Sequence, residues 1–205
     1  MRFYYLEMIG TAVFAITGVL AVTRRGLDIV GAVVLGIVTA LGGGTVRDLI
    51  IGSPPFWIGD FNYVWSALIG ALVAFWIGSA FRNAYRGLLY LDAIGAALFA
   101  IAAANKVLLL GLSGPVAVTM GVLTGIGGGL IRDVLAGRQT LLMSREIYAT
   151  PILFGCIAFV ALRTSVPDFP YAGAIAFAII VGVRALAIHR HLEMPVWLTN
   201  RDDDA

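Results

Sequence analysis

Two blocks of the chain, GIVTALGGGTVRDLIIG from Gly36 to Gly52 and GVLTGIGGGLIRDVLAG from Gly121 to Gly137, each set three consecutive glycines inside an apolar stretch. Three glycines cost a helix roughly 1 kcal/mol each relative to alanine, and without Cβ atoms they let another backbone come close. In hydrocarbon a freed backbone group has no water to bond, so irregular backbone there survives only against protein or a watery cavity. A duplicated glycine triad in an apolar setting therefore predicts a transport pathway.

The setting is a membrane. Hydrophobic residues make up 60% of the 205, charged residues 13%, and the mean hydropathy is +0.94, far from a soluble domain. Measured against the roughly 20 residues that cross a bilayer, the apolar stretches give seven spans: Tyr4 to Thr23, Asp28 to Ile51, Asn62 to Phe81, Leu88 to Val107, Pro115 to Ala136, Tyr148 to Leu162 and Tyr171 to Ile188. The first follows Met1-Arg2 and has the look of a signal peptide, but it has an internal copy and is expected to stay in the mature fold.

That copy shares one offset with the glycine blocks. Gly42 to Gly127 and Leu6 to Leu91 are both separated by 85 residues, and LEMIGTAVFAI from Leu6 matches LDAIGAALFAI from Leu91 at seven of eleven positions. Tyr63 and Gly70 fall on Tyr148 and Gly155 at the same offset. Three spans are duplicated and the seventh stands alone. Three crossings return the chain on the opposite side, so the second repeat enters reversed, as an inverted pair. The expected fold is all-α and integral to the membrane: a first repeat over residues 1–86, an inverted repeat over 87–165, and a seventh helix with a polar tail over 166–205. Helices 2 and 5 are expected to break at their triads.

Loop charges set the orientation. Arg24, Arg25, Arg82, Arg86, Arg138, Arg145, Arg190 and Arg201 collect on one side, against Arg2, Lys106 and Arg163 on the other. The positive-inside rule then places the N-terminus outside and the C-terminus in the cytoplasm of the inner membrane. The net charge of +2 is spread over loops and gives nucleic acid no footprint.

Broken helices would leave carbonyls near Thr39 to Leu41 and Thr124 to Ile126 without donors, at the negative end of a helix dipole. A monovalent cation site is expected there, near Leu41, Gly42, Ile126 and Gly127. The competing reading of Gly42, Gly43, Gly44, Gly127, Gly128 and Gly129, flanked by Thr39 and Thr124, is close helix packing; a tight crossing can itself be a constriction. Arg47-Asp48 and Arg132-Asp133 begin three residues past each triad, about 4.5 Å further along. They read either as a lock on helix ends or as charged vestibules, with pairing inside each dipeptide disfavoured because neighbours do not face each other on a helix.

Glu7 and Asp92 are equivalent positions, read as favourable charges near helix N-termini or as acids at pathway mouths. Lys106, the chain's one lysine, either snorkels to the interface or acts as a gate. His189 and His191 flank Arg190 and have no supporting ligand cluster for a metal. Cys156 sits in an apolar run and reads as a core residue. Trp57, Trp65 and Trp76 fit interfacial anchoring. No nucleophile–base arrangement points to an enzyme, and the glycine blocks lack the Gly-Lys-Ser/Thr ending of a phosphate loop.

The paired blocks GGGTVRD from Gly42 and GGGLIRD from Gly127, within two three-span repeats followed by one more span, resemble the prokaryotic branch of the trimeric intracellular cation channels, over essentially the whole chain apart from the acidic tail. The resemblance implies a homotrimer in lipid, a pore in each protomer, permeation by potassium and sodium without other cofactors, and helices 2 and 5 kinked at the triads. The Lys-Glu-Val motif of the animal members is absent; Lys106-Val107 is the nearest fragment. Bacterial proteins of this architecture are also labelled glycine transporters, which makes small-solute transport the alternative and an oligomeric scaffold a third reading.

Overall fold

The computed structural model describes residues 2–23, 25–78, 84–144 and 146–194. Phe81, Arg24, Arg82, Arg145 and Arg201, used above for span and orientation, lie outside them. Among the described residues there are eight α-helices and no strands: α1 (Arg2–Val22), α2 (Ile29–Ile50), α3 (Phe56–Gly59), α4 (Asn62–Gly78), α5 (Ala84–Leu109), α6 (Gly114–Leu135), α7 (Ala149–Ser165) and α8 (Ala172–Arg190), with a one-turn 3₁₀ helix at Leu141–Met143. A helix stands at each expected span. Five of them, α1, α2, α5, α6 and α8, are long and apolar enough to cross a membrane, while α4 and α7 are shorter apolar helices of 17 residues. The one-turn helix α3 was not foreseen.

Local chemistry sets the ends. The Asp28 carboxylate accepts the Gly31 N–H at 2.7 Å and caps α2, and α6 starts with a proline in its first turn, where no donor is lost. Both helices stop in the same way. Gly52 and Gly137, 85 residues apart, take φ of +68° and +55°, and the next N–H, from Ser53 or Arg138, returns to the carbonyl of Asp48 or Asp133 at 2.8 Å. A side chain at either glycine would strain the turn.

The interior is built from small residues, which allow close helix contact where lipid outside is as apolar as the core. Ala15, Ala67, Ala71, Ala96, Ala100 and Ala104 are fully buried. Large apolar residues such as Leu49, Ile69, Trp76, Phe154 and Leu186 face outward, as a hydrocarbon surround requires.

The two repeats meet at their own counterparts. Helix α1 packs on α5 and α2 on α6. A methyl built on Gly43 would stand 2.8 Å from the Thr124 carbonyl oxygen and 2.9 Å from the Gly128 nitrogen; one built on Gly128 would stand 2.7 Å from the Thr39 carbonyl oxygen. The triads thus cross at positions related by the 85-residue offset, and because the end of α2 meets Lys106 late in α5 while the end of α6 meets Asp92 early in it, α2 and α6 cross antiparallel.

The helices do not break. Both α2 and α6 run as α-helix straight through their triads. The carbonyls that a cation site near Leu41, Gly42, Ile126 and Gly127 would need therefore stay within helices, and the Leu41 oxygen also accepts the Thr45 hydroxyl at 2.7 Å. The glycines are spent on close approach instead, because a crossing this tight has no room for a Cβ.

Candidate functional site: two charged clusters across a glycine crossing

Each antiparallel helix carries its Arg-Asp pair beyond the crossing in its own direction, so the pairs end on opposite sides of it. Both are buried, and both build the same cluster. At the end of α2, Arg47 Nε donates to Asp48 Oδ1 at 2.7 Å, and its Nη1 lies 3.7 Å from Glu7 Oε1 on α1. Asp48 Oδ2 accepts the Phe56 N–H at 2.9 Å, tying down the connection after α2. Tyr63, in the first turn of α4, donates its hydroxyl to Glu7 Oε2 at 2.9 Å, and the Arg47 guanidinium lies 5.7 Å from the centre of the Phe56 ring.

At the end of α6 the counterparts repeat this. Arg132 Nε donates to Asp133 Oδ1 at 2.9 Å and its Nη1 to Asp92 Oδ1 on α5 at 2.6 Å. Asp133 Oδ2 accepts the Leu141 N–H at 3.2 Å. Tyr148, just before α7, brings its hydroxyl to within 2.9 Å of where a Gly129 methyl would stand, the same distance as Asp92 Oδ1. Glycine at 129 is what admits both groups.

The pairing inside each Arg-Asp dipeptide corrects the expectation that neighbours would find separate partners. Arginine is long enough to fold its Nε back onto the following carboxylate while its terminal nitrogens reach another helix. Glu7 and Asp92 are arginine partners rather than dipole-stabilising charges; Asp92 lies well past the first turn of α5. Thr39 and Thr124 turn inward, each bonded to the carbonyl four residues back, Leu35 at 2.7 Å and Met120 at 2.6 Å.

The clusters differ in an added cation. Lys106, near the C-terminal end of α5, places Nζ 2.8 Å from Asp48 Oδ1. Its side chain is 30% exposed and that of Asp48 not at all, so the ammonium covers the carboxylate from the accessible side rather than snorkelling away from it. The position 85 residues earlier is Ala21, which brings no cation to Asp133. Helix α5 thereby touches both clusters, through Asp92 and Lys106, which on a straight helix stand about 21 Å apart.

Sequence reasoning left several participants unassigned. Tyr63 and Tyr148 carried a signal, their shared offset. Phe56 carried none, since its contribution is a backbone N–H and a ring against Gly44. Arg184, in the middle of the last apolar stretch, carried the signal of any lone intramembrane charge. Among the described residues no group of three or more His, Cys, Asp and Glu is placed to hold a metal ion, and His191 Nε2 lies 3.1 Å from Arg86 instead.

Comparison with known proteins places this arrangement. The glycine transporter family model matches the chain twice, over residues 4–79 and 89–164, the second match displaced by 85 residues from the first. A UPF0126 membrane protein of Vibrio cholerae is 40% identical over 95% of this chain and 82% of its own length. The UPF0126 inner membrane protein YadS of Escherichia coli K12 is 38% identical over 96% of this chain and 97% of its own. Among solved structures, the TRIC trimeric intracellular cation channel orthologue from Rhodobacter sphaeroides superposes with a TM-score of 0.90 at 38% identity, covering 93% of this chain and 99% of that one. These relatives are membrane proteins and a cation channel, not enzymes.

Proposed function

The chain belongs to the glycine transporter family, and from that premise we propose that this multi-pass membrane protein is a homotrimeric channel passing potassium and sodium passively through a pathway in each protomer. The observation that carries the reading is the pair of buried Arg–carboxylate clusters on opposite sides of one glycine crossing. Burying such charges in a bilayer is costly, and placing one set at each mouth of a narrow crossing is useful to a cation pathway. The likeness to a solved cation channel supports the same reading.

In this reading α1, α2, α4, α5, α6, α7 and α8 all span the inner membrane, the N-terminus is outside and the C-terminus cytoplasmic. Residues 1–86 and 87–165 are the two inverted repeats, and 166–205 the added helix and tail. Gly42, Gly43, Gly44, Gly127, Gly128 and Gly129, with Thr39 and Thr124, form the constriction. Asp48 and Asp133 draw cations to its two ends, while Arg47 and Arg132 limit their occupancy. Glu7 and Asp92 hold those arginines at the mouths. Lys106 is the gate, because its ammonium occupies the exposed approach to Asp48.

The family's description favours a second reading, transport of a small zwitterion. A substrate carboxylate would be held by half-helix N-termini, and the continuous α2 and α6 offer none at the crossing.

Planar-bilayer recording of purified protein tests the choice. Unitary cation currents that increase in Lys106→Gln are the expected result. Saturable glycine exchange without currents would establish the carrier, and neither activity would leave a scaffold.

A further inference from the structure

Each cluster holds two carboxylates and one arginine: Glu7, Asp48 and Arg47 in the first, Asp92, Asp133 and Arg132 in the second. Each is therefore one positive charge short. In the first the deficit is met by Lys106, which comes from α5, outside the helices of its own repeat. The second has no lysine. At the place equivalent to Lys106, Arg138 is bonded to the Ala21 carbonyl at 3.2 Å, and a fully buried cation, Arg184, reaches Tyr148 from the helix that stands outside the duplication.

Arg184 is 1% exposed. Its Nη1 donates to the Ile147 carbonyl at 2.8 Å, its guanidinium lies 5.0 Å from the centre of the Tyr148 ring, and Nη1 is 3.5 Å from Glu146 Oε2. Tyr148 carries its hydroxyl on to the point beside Gly129 where Asp92 Oδ1 also converges. Tyr148 thus has the guanidinium near its ring and the carboxylate near its hydroxyl end, and α8 packs on both α7 and α5. Glu146 reaches solvent through part of its side chain, which is about a third exposed, while its Oε2 toward Arg184 is buried. Asp92 has no such outlet: its side chain is wholly buried and, among the described residues, Oδ2 has no hydrogen-bond partner.

We propose that Arg184 is the balancing cation of the second cluster, a positioning residue that holds Tyr148 against Asp92 and offsets the excess buried carboxylate charge, and that supplying it is the function of the eighth helix. A charge buried without compensation is strongly destabilising. The role is therefore electrostatic as well as mechanical, and it makes the added helix the equivalent of Lys106 for the other half.

A double-mutant cycle read by thermal unfolding of the purified full chain tests this without reference to transport. Arg184→Gln lowers the melting temperature by on the order of 10 °C, and Arg184→Lys recovers more than half of that loss. Asp92→Asn alone also lowers it, because Arg132 loses a partner. Combined with Arg184→Gln, Asp92→Asn costs far less than it does alone, or restores stability, since the excess charge is gone. Glu146→Gln in the Arg184→Gln background recovers less than Asp92→Asn does. Full additivity of Arg184→Gln and Asp92→Asn, or better recovery by Glu146→Gln, would overturn the assignment and leave Arg184 a hook for the Ile147 carbonyl. A second arm rests on the channel reading: conductance of Arg184→Gln at low salt exceeds that of Arg184→Lys. If the wild type shows no currents, the channel reading fails and the unfolding cycle still decides the role of Arg184.

Discussion

Phe14 and Phe99 are counterparts at the 85-residue offset, and they stack on each other, with ring centroids 5.4 Å apart and planes inclined by 30°. Both are buried. A Gly128 methyl would come 3.5 Å from the Phe14 ring, so the stack lies beside the helix crossing. Phe14→Ala and Phe99→Ala are each expected to destabilise the fold by about 3 kcal/mol, through lost packing and a cavity. The two share one contact, so the double variant should lose clearly less than the sum. Chemical or thermal unfolding of the four proteins checks this; strict additivity would mean that the rings act separately.

The crossing itself tolerates no side chain. Gly43→Ala and Gly128→Ala each bring a methyl within 3 Å of backbone on the facing helix, and both should lower the melting temperature and alter cation flux. Gly182→Ala on α8, where a methyl meets nothing within 4 Å, should be neutral or slightly stabilising, given the better helix propensity of alanine. Wild-type stability and flux in both crossing variants would remove the triads from the mechanism.

Arg132 and Arg47 should respond differently to neutralisation. Arg132→Gln strands two buried carboxylates, Asp92 and Asp133, and is expected to cost about 3–5 kcal/mol. Arg47→Gln should cost less, because Lys106 still serves Asp48 and Glu7 is part-exposed with Tyr63 as a donor. Thermal unfolding of the two variants side by side decides, and equal losses would count against the compensating role of Lys106.

Much of this arrangement was legible because duplication writes it twice. The offset linked Glu7 to Asp92, Arg47 to Arg132 and Tyr63 to Tyr148 before any contact was known, and hydropathy placed a helix at every expected span. The state of the triads was not legible: glycine's low helix propensity is a local cost, and tight antiparallel packing outweighs it. The bonds inside Arg47-Asp48 and Arg132-Asp133 escaped a rule framed for Cβ directions, which ignores how far a guanidinium can fold back. The meeting of Lys106 with Asp48 joins two repeats, and no periodicity within either one encodes it. The aspartate bonds to the N–H groups of Phe56 and Leu141 involve backbone, which every residue has.

The inverted arrangement predicts sidedness at two exposed, equivalent positions in the short helical turns that follow α2 and α6. Ile58→Cys and Met143→Cys, in a Cys156→Ala background, place thiols at sites 62% and 76% exposed. A membrane-impermeant thiol reagent applied outside intact cells should label the first and not the second, and inside-out vesicles should reverse the pattern. Labelling of both from one side would contradict the inversion, and the opposite pattern the proposed orientation.

Contacts between a residue and its own counterpart, as in Phe14–Phe99 and Gly43–Gly128, are those of an isologous interface, the kind that two identical subunits form about a twofold axis. Here that interface is folded inside one chain. In a pair of identical subunits every substitution appears at both ends at once. Fusion lifts that rule: one end can hold Lys106 where the other has Ala21, and Glu7 where the other has Asp92. The covalent link is thus what permits the two ends of a nearly symmetric molecule to be different, and only a molecule with different ends can tell one side of its membrane from the other.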